Sequence, residues 1–135
     1  MTIQRSVLAR NAALDAFEAT VGPSPILELR TGTPPANCAA ADTGSLLASM
    51  TLPSNWLADA AAGAKAKAGV WEDLAANADG TPGHYRIKDS TGTTCHEQGT
   101  VTLTAGGGDM TVDDTTFVTG QPVVVTGYTL TAGNA

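Results

Sequence analysis

Cys38, His84, Cys95 and His96 are the side chains in this chain from which a metal or nucleophile site would be built. Zinc takes thiolate and imidazole ligands tetrahedrally, but its strong signature is closely paired cysteines, and these two stand far apart with no motif around them. A cysteine near a histidine also suggests a nucleophile and its base, which requires a partly exposed thiol in electropositive surroundings. The strand pattern around Cys95 turns its thiol inward, leaving a core thiol beside a surface imidazole. Asp109, Asp113 and Asp114 follow the glycines 106–108 in a way that hints at a calcium loop, yet the order of ligands fits no EF-hand. The same glycines are followed by no Lys-Ser or Lys-Thr, so they form no phosphate cradle. Any two acids can meet in a fold as a glycosidase pair, but two Trp, two Tyr and two Phe give no aromatic platform for sugar rings. The expectation is a non-enzyme with no cofactor and no metal, its cysteines reduced.

Composition points the same way. The 135 residues fit one domain, large enough to need no covalent staple. A net charge of −6 with only seven Lys and Arg argues against nucleic acid as a partner. Charged residues make up 15% of the chain, and a surface of Thr, Ser and Ala is easily desolvated, which favours burial in an assembly. No apolar run is long enough to span a membrane, and the opening residues 1–5 do not read as a signal peptide.

The elements that must position these residues centre on GHYRIKDSTGTTCHEQGTV, residues 83–101. Tyr85 and Ile87 alternate with His84, Arg86 and Lys88, the period of a half-buried strand. Asp89-Ser90-Thr91-Gly92 predicts a three-residue hairpin loop with a glycine bulge, pairing Asp89 with Thr93 and Ile87 with Cys95. Tyr85, Ile87, Cys95, Val101 and Leu103 then face the core. Arg86, Lys88, His96, Gln98 and Thr100 face water.

Ahead of this hairpin, Ile3, Val7, Leu14, Phe17 and Val21 recur at helical spacing among five alanines, and Gly22-Pro23 ends the pattern. Residues 3–21 are therefore expected to be a helix. Pro25 to Thr31 and Ser45 to Leu52 read as strands separated by a turn-rich loop, Gly32 to Gly44. Ala58 to Gly69 reads as an exposed loop or weak helix. Short strands follow at Gly69–Ala75, Met110–Asp113, Phe117–Val118 and Val123–Thr131. Six to eight short strands at this spacing predict a mainly β chain, a single-domain β-sandwich or jelly roll (23–135) with an N-terminal α-helix (1–22).

The combination of TGTPPANCAAADTGSLLASMTLPSNW, the hairpin, GGGDMTVDDTTF and a closing TLTAGNA resembles a set of small proteins of tailed bacteriophages and prophages. The likeness extends over the opening RNAALDAFEATVG helix and nearly the whole chain. It implies a virion structural protein, best placed as a capsid decoration or cement protein on the head, bound to the major capsid protein and self-associating on the shell. Assembly would take place in the host cytoplasm, with no membrane or nucleic-acid partner. Expected contacts lie in the helix (Val7, Leu14, Phe17), the loop 32–44 (Pro34, Pro35), the segment 58–69 (Lys65, Lys67) and the tail (Asn134). A tail, neck or fibre component is the neighbouring reading. A carbohydrate- or receptor-binding β-sandwich is the reading from another class.

Overall fold

The computed structural model of the chain describes residues 3–133. Among these the chain is mainly β: one helix, α1 (Val7–Val21), precedes eight strands. They are β1 (Ile26–Arg30), β2 (Leu46–Thr51), β3 (Ala64–Ala66), β4 (Glu72–Asp73), β5 (His84–Lys88), β6 (Cys95–Leu103), β7 (Met110–Val112) and β8 (Val123–Thr131). They form a mixed sheet in the order β2-β1-β5-β6-β7-β8-β3, with β4 also paired to β8. The β6–β7 pair is parallel and the other pairings are antiparallel.

The sheet curls until its two ends meet. Along the free edge of β2, Ser49 N–H donates to the Asp73 carboxylate at 3.0 Å, and Leu47 C=O accepts from Asn77 N–H at 2.8 Å. Asp73 belongs to β4, at the opposite end of the sheet, so a side chain supplies the acceptor a paired strand would have offered. Inside the curl lies one core, in which Leu27, Leu29, Ile87, Met110, Val112 and Val125 pack around Trp56 and Trp71. The ring centroids of Trp56 and Trp71 are 6.0 Å apart, and those of Trp71 and Tyr128 5.3 Å. Phe117 reaches this core from an isolated bridge to Gly80 rather than from a strand of its own.

Helix α1 begins at Val7, four residues later than its apolar spacing predicts, because Ser6 Oγ accepts from Ala9 N–H and caps it there. It ends as expected at Gly22, whose φ of 87° suits a residue without a side chain. Segment 58–69 is extended, not helical. Its centre, β3, pairs with β8, and Lys67 bridges to Leu57.

The 83–101 hairpin forms, but in another register. The Asp89 carboxylate accepts from the N–H groups of Thr93 and Thr94, and Asp89 N–H donates to Thr94 C=O, which lengthens the loop by one residue. A bulge at His96 adds another, so Ile87 faces Glu97 and Lys88 faces Cys95. The shift of two residues keeps Val101 on the core face, leaves Leu103 half exposed, and carries Cys95 to the side of Arg86 and Lys88. Nor is that side wet. All five residues of β5 are buried, because residues 31–45 cross over them as a strap.

Candidate functional site

The strap is held by the polar face of β5. Arg86 Nη2 donates to Cys38 C=O at 2.8 Å, and its Nη1 donates to Ala40 C=O at 3.1 Å and to the Asp42 carboxylate. Lys88 Nζ bridges Asp42 at 2.7 Å and Glu28 at 3.0 Å, and Arg30 reaches the same two carboxylates. Gln98 Nε2 donates to Pro35 C=O at 2.7 Å, and His84 Nδ1 sits 2.9 Å from Gly32 C=O. Burial pushes the Asp42 carboxyl up, but the hydrogen bonds from Lys88 and Arg86 and the charge of Arg30 outweigh it and hold the group below its ordinary value. Three cations and two carboxylates thus compensate one another along the strap, while His84 Nε2 and Gln98 Oε1 stay buried without a partner.

On the other face of the hairpin, Glu97, Tyr85, Tyr128 and Asp109 line a cleft of about 580 Å³. Both phenols donate to the same oxygen, Glu97 Oε1, each at 2.6 Å. Gly99, opposite Tyr85 in the register, makes this possible: a Cβ there would stand 2.8 Å from the Tyr85 ring and 2.9 Å from the Asp109 carboxylate. Asp109 Oδ2 accepts from Thr100 N–H and Oγ1, both at 2.9 Å. Burial, then the charge of Glu97, push both phenols far above the ordinary tyrosine value. Both phenols thus stay protonated and serve as hydrogen-bond donors to the Glu97 carboxylate.

That arrangement has a spectroscopic consequence. Tyr85 and Tyr128 are the two tyrosines of the chain, so alkaline titration followed by phenolate absorbance should show no ionisation step at about pH 10. With folded values raised above unfolded ones, the stability they lend is whole below about pH 10 and is lost as pH rises beyond it. Ionisation should therefore coincide with unfolding. A reversible step at about pH 10 in the folded chain would contradict the buried clamp.

The contact residues expected from the sequence divide between two seams. Leu14 is buried and Phe17 partly buried against the chain's own core. Lys65, only 4% exposed, is ion-paired to Asp15 at 2.7 Å and to Glu18. Arg10 Nε donates to Ala132 C=O at 2.7 Å and Asn11 accepts from Gly63 N–H at 2.9 Å, so α1 docks in cis on β3 and the end of β8. Leu14 and Lys65 are thus spent within the fold and are not contact surface in this conformation. Pro34 and Pro35 are partly buried in the strap, and Lys67 donates to Gly69 C=O above the Trp71 ring. Val7 alone of the apolar trio is exposed, at 50%. Asn134 lies outside the described residues.

Exposed apolar side chains are instead found at the entry to α1, where Ile3 is 72% and Leu8 81% exposed beside Val7, and at Val70, Leu74 and Val118. Leu8 lies off the stripe that reads as a core face, and that departure was the available signal. Among the described residues no three His, Cys, Asp or Glu side chains gather to hold a metal ion, and no helix is long and apolar enough to cross a membrane. Compared with protein-family models, curated proteins and solved structures, the chain matches none.

Proposed function

We propose that this chain is a non-enzymatic structural protein of a tailed-phage virion, a decoration or cement protein that binds the outer surface of the head and bridges major capsid subunits. The observation that carries the reading is the exposed apolar entry to α1, Ile3, Val7 and Leu8. Apolar area gains about 25 cal/mol per Å² on burial, so a modest contact of this kind adds several kcal/mol before association costs are subtracted. The sequence resemblance to phage proteins supports the same role. In this reading the curled sheet is a β-sandwich or jelly-roll-like body, α1 with its apolar entry is the adhesive element, and copies associate on the shell. Assembly takes place in the host cytoplasm.

Particles lacking the protein should keep their diameter and symmetry but release DNA at lower temperature. Adhesion that is apolar and hydrogen-bonded should also survive salt of about 1 M, where the Debye length falls to about 3 Å. Electron microscopy that places the protein only at the tail vertex would overturn the cement role in favour of a tail, neck or fibre component. A second reading, a glycan- or receptor-binding module, is favoured by the cleft around Glu97 and Asp109. Glycan binding by the isolated chain, abolished by Glu97→Ala, would support it over adhesion to a capsid.

A further inference from the structure

The cysteines that the sequence separates meet in the fold. Arg86 makes the junction: Nη2 holds the Cys38 carbonyl at 2.8 Å while Nε donates to Cys95 Sγ at 3.2 Å. Cys38, Cys95, Asp42 and Lys88 line a common pocket of about 230 Å³, and both cysteines are partly exposed. Cys95 Sγ also lies 3.4 Å from Glu97 C=O. The strap and the first residue of β6 thereby meet at one pocket.

We propose that Cys38 and Cys95 form a disulfide modification site, converted by a low-molecular-weight dialkyl disulfide into a covalent clamp that fastens the strap to the sheet. Cys95 is the attacking thiol, since its sulfur carries the guanidinium donor. Burial and the neighbouring Cys95 sulfur push the Cys38 thiol up to about 11, which makes it the second to react. Cys95 sulfur attacks one sulfur of RS–SR, forming a mixed disulfide and expelling RS⁻. Cys38 sulfur then attacks the Cys95 sulfur, expelling the second RS⁻. Both thiol protons end on the departing thiolates. The chain loses two electrons, the reagent gains them, and two RSH are released. The exchange is reversible by excess thiol, and it does not rest on the virion reading.

The clamp closes a long loop, from the strap to β6, and so restricts the unfolded chain more than the folded one. Treating the reduced chain with oxidised glutathione should take its free thiols from two to none without forming dimers on non-reducing gels. Peptide mapping should recover the segment around Cys38 joined to that around Cys95. The melting temperature should rise by on the order of 10 °C, and excess reductant should reverse the rise. Cys38→Ser should stop the reaction at a glutathione adduct on Cys95, visible as a mass increase. Stable adducts on both cysteines of the unaltered chain, intermolecular dimers, or a cross-link that lowers the melting temperature would each overturn the proposal.

Discussion

Replacing Arg86 with alanine is expected to lower stability by about 3–5 kcal/mol, the cost of removing one member of a buried ionic network. The side chain is 2% exposed and ties the strap to β5 through two carbonyls and a carboxylate. Its loss leaves Cys38 C=O and Ala40 C=O without that donor and Asp42 with only Lys88 and Arg30. A domain of this size has about 5–15 kcal/mol in total, so the variant should be marginal. Arg86→Lys should rescue little, because one ammonium cannot occupy the positions of a planar fork. Urea unfolding followed by tryptophan fluorescence measures the loss, and a change under about 1 kcal/mol would mean that the strap is seated by something else.

Trp71→Ala should be comparably severe, again about 3–5 kcal/mol. The indole is fully buried between Trp56 and Tyr128 and donates through Nε1 to Ala68 C=O at 3.0 Å. Removing it empties the centre of the core and loosens the ring of Tyr128, one of the two phenols on Glu97. Trp71→Phe, which keeps an aromatic ring but not the donor, should cost distinctly less. Thermal unfolding of the two variants side by side distinguishes a packing role from a hydrogen-bonding one. Equal losses would assign the stabilisation to the indole N–H.

What could be read in advance was whatever depends on short-range periodicity. The alternation of Tyr85 and Ile87 announced a strand, the Gly22-Pro23 pair announced a helix end, and Val123 to Thr131 announced β8 at its observed limits. The hairpin register escaped because one carboxylate, Asp89, captures two N–H groups and lengthens the loop, and a bulge at His96 adds a second residue. No turn propensity encodes that choice. Burial of His84, Arg86 and Lys88 escaped for a different reason. A polar alternation reads as a wet face unless something distant covers it, and here the cover is the strap, which arrives from before β2. The meeting of Cys38 with Cys95 and the gathering of Tyr85, Tyr128 and Asp109 at Glu97 are likewise products of tertiary packing. The fate of α1 followed from its own weak stripe: Leu14 and Val21 turn inward, while Val7 and Leu8 stay out.

Strand β8 pairs with β7, β3 and β4, and it is the last strand in chain order. Until residues 123–131 leave the ribosome, β3 and β4 lack a partner, β7 has only β6, and Trp71 lacks the Tyr128 ring. Helix α1, which precedes every strand, waits for the Ala132 carbonyl that Arg10 will bind. Translation adds about 5–20 residues per second, so the earliest segments must stay open on the order of 10 s with their strand edges unpaired. Completion of this fold therefore waits for β8, and a nascent chain stalled before it would expose the edges of β3 and β4 to chaperones.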